Sequence, residues 1–129
     1  MPERSGDWMR QAEADLRHAV NSRKVGDFEW ACFAAQQAAE KAVKALFQRF
    51  HLDAWGHTVS ILLSNFPAEV AIPANLLAGA KILDKHYIPA RYPNSFETGA
   101  PTDFYTAEEA DLAIRIAGEI FDFCKNYRS

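Results

Sequence analysis

The sequence predicts an all-α fold, an antiparallel up-and-down bundle of four to five helices. Three observations carry this. Apolar residues recur at three- and four-residue steps through most of the chain. No stretch shows sustained alternation of apolar and polar residues between hairpin turns, the mark of strands. Connections between periodic stretches are short except before the last, which favours antiparallel neighbours. The 129 residues make a single domain, 1–129, without internal repeats or low-complexity segments.

The first helix is expected over Asp7–Lys24, with Trp8, Ala12, Leu16, Ala19 and Val20 on one stripe. Asp7 or Ser5 is placed to cap it, and Gly26 sits just past its end, where a left-handed residue is wanted. A second helix follows Asp27 as N-cap and reaches about Phe50. Its stripe is Cys32, Ala35, Ala39, Val43, Leu46 and Phe50, and its first half is apolar almost all round. Such a helix is central or part of a subunit interface. Its many alanines let neighbours approach closely, and they also simply favour helix.

A short helix is expected over about His57–Asn65. The next begins with Pro73 in its first turn, buries Leu76, Leu77, Ala80, Leu83 and Tyr87, and stops at Pro89. Arg91–Tyr105 reads as an irregular loop, and loops of that length are functional or mobile. Thr106 with Glu109 three residues on is a capping box that opens the last helix. Its stripe is Ala110, Ala113, Ile114, Ala117, Ile120, Phe121 and Cys124.

Composition excludes several classes. Hydrophobic residues are 49% and charged residues 24%, which excludes a disordered tail. Charges interrupt every apolar stretch before the ~18–20 residues of a membrane span, and Met1–Arg10 holds no apolar signal core. The expectation is a cytoplasmic protein with no membrane contact. Two cysteines, Cys32 and Cys124, make neither a disulfide framework nor a zinc quartet and read as buried thiols. His18, His51, His57 and His86 are scattered, without metal-ligand spacing, so no metal and no cofactor is expected.

The net charge of −3 argues against a generic polyanion binder. Yet bases cluster locally. Lys41, Lys44 and Arg49 stand with no acid among them, and Lys81, Lys85 and Arg91 face only Asp84. A local basic surface on an acidic protein suits a discrete anion such as one nucleotide. In the run Lys81–Asn94, Pro89 ends a helix and projects Arg91 and Tyr92 from a constrained turn, with Asp84 and Tyr87 three apart before it. Arginine grips phosphate bidentately, and tyrosines stack bases or donate hydroxyls. The competing reading is an Asp84–Arg91 ion pair that only locks the helix end. His57, after Gly56, sets a loop or contacts a carboxylate. Lys41 and Lys44 are solvated face first and anion contacts second.

Several segments together resemble the HEPN family of small all-α domains proposed to bind nucleotides. They are Trp8 with Ala14–Asp15–Leu16, the run Trp30–Ala45, Gly56–His57–Thr58, Leu83–Ile88, Arg91–Tyr92–Pro93–Asn94 and Tyr105–Ala110, in that order and across almost the whole chain. The resemblance implies a bundle that dimerises and works beside a minimal nucleotidyltransferase, as a two-part enzyme or toxin–antitoxin pair. On it, the candidate nucleotide-binding residues are Asp84, Tyr87, Arg91, Tyr92, Asn94, His57, Lys41 and Lys44, with ATP or GTP as ligand. Many members are metal-independent RNases that carry an Arg, four to six residues, then a His. This chain departs from that. The window after Arg91 holds Phe96, Glu97 and Thr98, and after Arg49 the His57 comes one residue late. In-line RNA cleavage needs a group that moves protons, so catalytic residues are not carried over. Two alternatives stand beside the nucleotide-binding module. One is an RNase with a non-standard site, using Arg91 with His57 or His86. The other is a purely structural helical adaptor.

Overall fold

The computed structural model describes residues 3–128 and places four long helices where the apolar periodicity predicts them. In chain order the helices are α1 (Ser5–Lys24), α2 (Phe28–Arg49), α3 (Val59–Ser64), α4 (Ala74–Asp84), α5 (Pro101–Phe104) and α6 (Ala107–Asn126). A 3-10 turn spans Pro93–Ser95, and no strand occurs among the described residues.

Local chemistry sets the boundaries. α1 ends because Gly26 takes a φ of 86°, which lets the Asp27 N–H reach the Ser22 carbonyl at 2.8 Å. Neither Ser5 nor Asp7 caps its start. Arg4 stands there, and the Asp7 carboxylate is held by the Arg4 and Arg10 side chains instead. Asp27 is the N-cap of α2 by position but makes no side-chain bond to it. Pro73 is the N-cap of α4 rather than part of its first turn. The α6 capping box forms as expected, with Glu109 N donating to Thr106 Oγ1 and Thr106 N to Glu109 Oε1.

Two expectations are corrected. α4 stops at Asp84, not at Pro89, and residues 85–91 form consecutive turns. Pro89 disfavours helical geometry at Ile88, and the chain is already unwinding before it. The Asp84 carboxylate then turns to α3. It accepts from Val59 N at 2.6 Å, Ser60 N at 3.3 Å and Ser60 Oγ at 2.5 Å. It caps a helix 25 residues upstream, since Thr58, the N-cap residue, makes no cap bond of its own. Bonds from several donors to one carboxylate contribute on the order of 2 kcal/mol. The 91–105 segment also carries more order than an irregular loop: the 3-10 turn and α5 both lie within it.

α2 packs against every other helix, so it is the central one. Ala31, Ala34, Ala35, Ala38, Ala39, Ala42 and Ala45 on it are all buried. Small side chains on several faces let several neighbours close in at once. Bulk comes from the partners, chiefly Leu62, Leu63, Leu83 and Ile120, each almost wholly buried. On α6 the buried stripe includes Ile116, while Ile114 is only partly covered. Cys32 and Cys124 are free and fully buried, and burial pushes both thiols up to about 12, so neither is a ready nucleophile.

Among the described residues four polar ones are buried: Ser22, Gln36, Glu40 and His86. No buried side-chain nitrogen or oxygen among the described residues lacks a partner. His86 meets the Tyr105 hydroxyl through Nδ1 at 3.2 Å. Burial lowers its pKa below the ordinary 6.5, opposed by Glu109 and assisted by Lys85. A histidine held neutral on folding gives its full stability above its unfolded pKa. Below about 6.5 the unfolded chain binds the proton first, and stability falls as pH falls. Thermal melts of wild type and His86→Gln are therefore expected to diverge most near about pH 7.5 and converge toward about pH 5.5, roughly one unit either side of the unfolded pKa. A gap that stays constant across the range contradicts the burial of a neutral imidazole.

Candidate functional site

α2 is alanine-lined on its packed faces and polar along one edge. That edge carries Gln36, Gln37, Glu40, Lys41 and Lys44. Spacing of three and four residues stacks them on neighbouring turns. Glu40 is 5% exposed and holds three donors. They are Lys44 Nζ at 3.1 Å and Gln36 Nε2 at 3.2 Å, with His57 Nδ1 at 3.0 Å. Gln36, fully buried, also donates to the His57 backbone carbonyl at 3.0 Å. The loop before α3 is thus pinned to α2 at both the main chain and the side chain of His57.

A carboxylate that accepts from Nδ1–H fixes the imidazole tautomer and leaves Nε2 as the outward, proton-accepting atom. The ring stands about half exposed. It stacks on Tyr87 at 4.7 Å between centroids, with 14° between planes. Tyr87 comes from the turns after α4, which the Asp84–α3 contact brings to this edge.

Arg91 lies on the same aromatic group. Its guanidinium carbon is 4.4 Å from the Phe33 centroid, 4.7 Å from Tyr87 and 5.1 Å from Tyr92. Its Nε donates to the Tyr87 carbonyl at 2.8 Å. No carboxylate pairs with it among the described residues. The Asp84–Arg91 ion pair that the sequence allowed does not form, because Asp84 is committed to α3. A guanidinium sandwiched by rings keeps its terminal nitrogens open and loses little freedom when it binds.

The other candidate residues divide. Tyr92 is about half exposed and, with Ile88, Pro93 and Asn94, lines a shallow hollow beside Arg91. Lys41 and Lys44 are not free cations. Lys41 pairs with Asp15 at 2.5 Å and Lys44 with Glu40. Lys44 also lies 5.9 Å from the Trp8 ring centroid. They continue the polar edge toward α1 rather than converging on Arg91. His86 faces a different cavity and does not join the site. So His57, Tyr87, Arg91 and Tyr92 come together with Asn94 beside them. Asp84 supports them from below, and Lys41 and Lys44 stand apart in ion pairs.

Sequence reasoning missed Glu40, Gln36 and Phe33. The available signal was an i, i+4 series, Gln36–Glu40–Lys44, interrupting an otherwise alanine-rich helix. A carboxylate among so many alanines is hard to bury without a fixed partner.

Known proteins share this arrangement of helices. Residues 5–127 match the HEPN domain family. A curated relative from Methanocaldococcus jannaschii, named "Putative toxin MJ1304", is 27% identical over 129 residues, covering 93% of this chain and 85% of its own. The crystal structure of TT1696 from Thermus thermophilus is 45% identical, with a TM-score of 0.94 over 96% of this chain and 98% of that one. ST0689, described as an archaeal HEPN homologue, is 43% identical, with a TM-score of 0.82 over 96% and 97%. A HEPN domain protein from Thermotoga maritima is 38% identical, with a TM-score of 0.77 over 93% and 95%. The family match runs nearly end to end and the helices superpose on solved HEPN folds; this chain belongs to the HEPN domain family.

Proposed function

We propose that this HEPN domain is a toxin-type module that binds a nucleotide through Arg91 and acts with a minimal nucleotidyltransferase. The observation that carries the reading is Arg91 itself. It is a cation held on three rings, with no anionic partner among the described residues. A bound phosphate would supply the missing charge through the two terminal nitrogens. The half-exposed Tyr92 ring offers a stacking face for a base, and the hollow by Pro93 and Asn94 gives it room. The relative named as a toxin supports the toxin half of the reading.

A second copy of the chain belongs to the same reading. Trp30 packs edge-on against Phe33 and is about half exposed, an apolar surface that a dimer would cover. Among the described residues no helix is long and apolar enough to cross a membrane.

A specific contact favours RNA cleavage as the second reading. Glu40 orients His57, so Nε2 is available as general base. Arg91 stands on the other contact of the Tyr87 ring as the phosphate group's cation.

Calorimetric titration of ATP and GTP tests the first reading. Micromolar binding is expected for at least one, weakened about tenfold or more, about 1.4 kcal/mol, in Arg91→Ala. Binding that is absent, or unchanged in Arg91→Ala, overturns it. Incubation with single-stranded RNA tests the second. Turnover is expected to fall about 100-fold in His57→Ala, the usual contribution of an acid–base group. Turnover that survives His57→Ala rejects His57 as that group.

A further inference from the structure

A second recess lies against the turns that follow α4, and Arg91 is not among its lining residues. It has a volume of about 320 Å³, at the lower end of the range for small-ligand sites. Its walls come from the end of α4 and its turn (Ile82, His86, Pro89), from the 93–105 segment (Phe96, Phe104) and from the start of α6 (Leu112). These walls are mainly apolar, with Lys85 and Glu109 also in the lining and one partly buried polar pair. In that pair His86, 7% exposed, and Tyr105 meet through Nδ1 and the phenol oxygen at 3.2 Å, and both line the recess.

The outer wall is built, not draped. Phe96 and Phe104 stack at 4.7 Å with 11° between planes. Gly99 makes that packing possible: a Cβ there would come within 2.9 Å of the Phe104 ring, and its φ of 83° suits only glycine well. Asp103 Oδ2 accepts the Ala100 N–H at 2.9 Å, and the Tyr105 N–H reaches the Pro101 carbonyl at 3.1 Å. The segment that holds the two phenylalanines is therefore fixed by its own bonds.

We propose that this recess binds a small, neutral, planar aromatic alcohol of one or two fused rings. Flat apolar walls with a stacked phenylalanine pair suit a ring in edge or offset contact. A cavity of roughly 150 Å³ already accepts benzene, so this one has room for a second ring. A hydroxyl has one donor and two acceptor sites, so Tyr105 keeps hydrogen-bonding capacity beyond its contact with His86. That capacity matches one polar group on the ligand. Two facts favour a neutral ligand over an ion. Lys85 and Glu109 stand at the wall with opposite signs, so neither sign of ligand is favoured. A buried charge without a dedicated partner is costly. The site is independent of nucleotide binding at Arg91.

Titration of 2-naphthol into the full chain, followed by methyl NMR, tests this. Saturable shifts are expected at the Ile82 and Leu112 methyls, with a dissociation constant of about 1 mM or tighter. The anion 2-naphthoate is expected to bind about tenfold more weakly, as is 2-naphthol to Tyr105→Phe. Leu112→Trp places bulk at the rim, where Leu112 is about one-third exposed, and should abolish the Ile82 shift that remains to report on the site. Shifts that do not saturate, or that persist in Leu112→Trp, overturn the proposal. So does a change in sedimentation of the Leu112→Trp variant without any naphthol response in wild type, which would make the recess a contact between copies.

Discussion

The close approach of five helices to the alanine faces of α2 is the constraint on which the structure rests. Helix pairs pack at roughly 8–10 Å, the distance depending on the side chains between them. Seven buried alanines keep α2 thin enough for α1, α3, α4, α5 and α6 all to touch it. The consequence is geometric. A helix covered on so many sides has only a narrow edge left for polar groups, and Gln36, Glu40 and Lys44 occupy it. Gln36 and Glu40 are themselves buried, and their chemistry reaches solvent through the half-exposed His57 that they hold.

From that edge the site assembles outward by fixed contacts. Glu40 is buried, so its charge must be matched; Lys44 does so, and Gln36 and His57 add hydrogen bonds. Removing one partner of such a buried group is strongly destabilising, on the order of 3–5 kcal/mol. The requirement that keeps Glu40 paired also holds His57 in one orientation. His57 then supports one side of Tyr87, and Tyr87 with Phe33 supports Arg91. Meanwhile Asp84 ties α3 to the end of α4, which sets where Tyr87 and Arg91 leave the helix. The outermost group is a cation backed by rings rather than by a carboxylate. It is well ordered and electrically uncompensated, the combination that anion recognition needs.

Much of the fold was legible in the chain. Periodicity located the four long helices, Gly26 and the Thr106–Glu109 box marked ends correctly, and the all-round apolar character of Phe28–Ala35 marked α2 as central. Those signals are local, acting over a few residues. The local misses are boundaries, such as the start of α1, the end of α4 and the short α5, whereas the misses at the site are long-range. Asp84 caps a helix 25 residues away. Glu40 meets a histidine 17 residues away. Phe33 lies beneath Arg91 although 58 positions separate them in the chain. Nothing in the local sequence ranks Asp84 as a cap over Asp84 as an ion-pair partner for Arg91, since both are short-range attractions of one carboxylate. Likewise Lys41 and Lys44 read as free bases until Asp15 and Glu40 are placed beside them. The Arg91–Tyr92 turn was legible because proline constrains it; the surface it joins was not.

In the proposed reading Arg91, held on three rings without a carboxylate partner among the described residues, takes an anion. Its side-chain Nε–H resonance tests this most directly, followed by NMR in the free protein and with added pyrophosphate. The expected signal is protected from exchange by its bond to the Tyr87 carbonyl. The account also predicts that pyrophosphate moves this signal saturably while leaving Arg17 and Arg115, exposed on helix surfaces, almost unchanged. An Arg91 Nε–H that exchanges like those two surface arginines, and that ignores pyrophosphate, would contradict it.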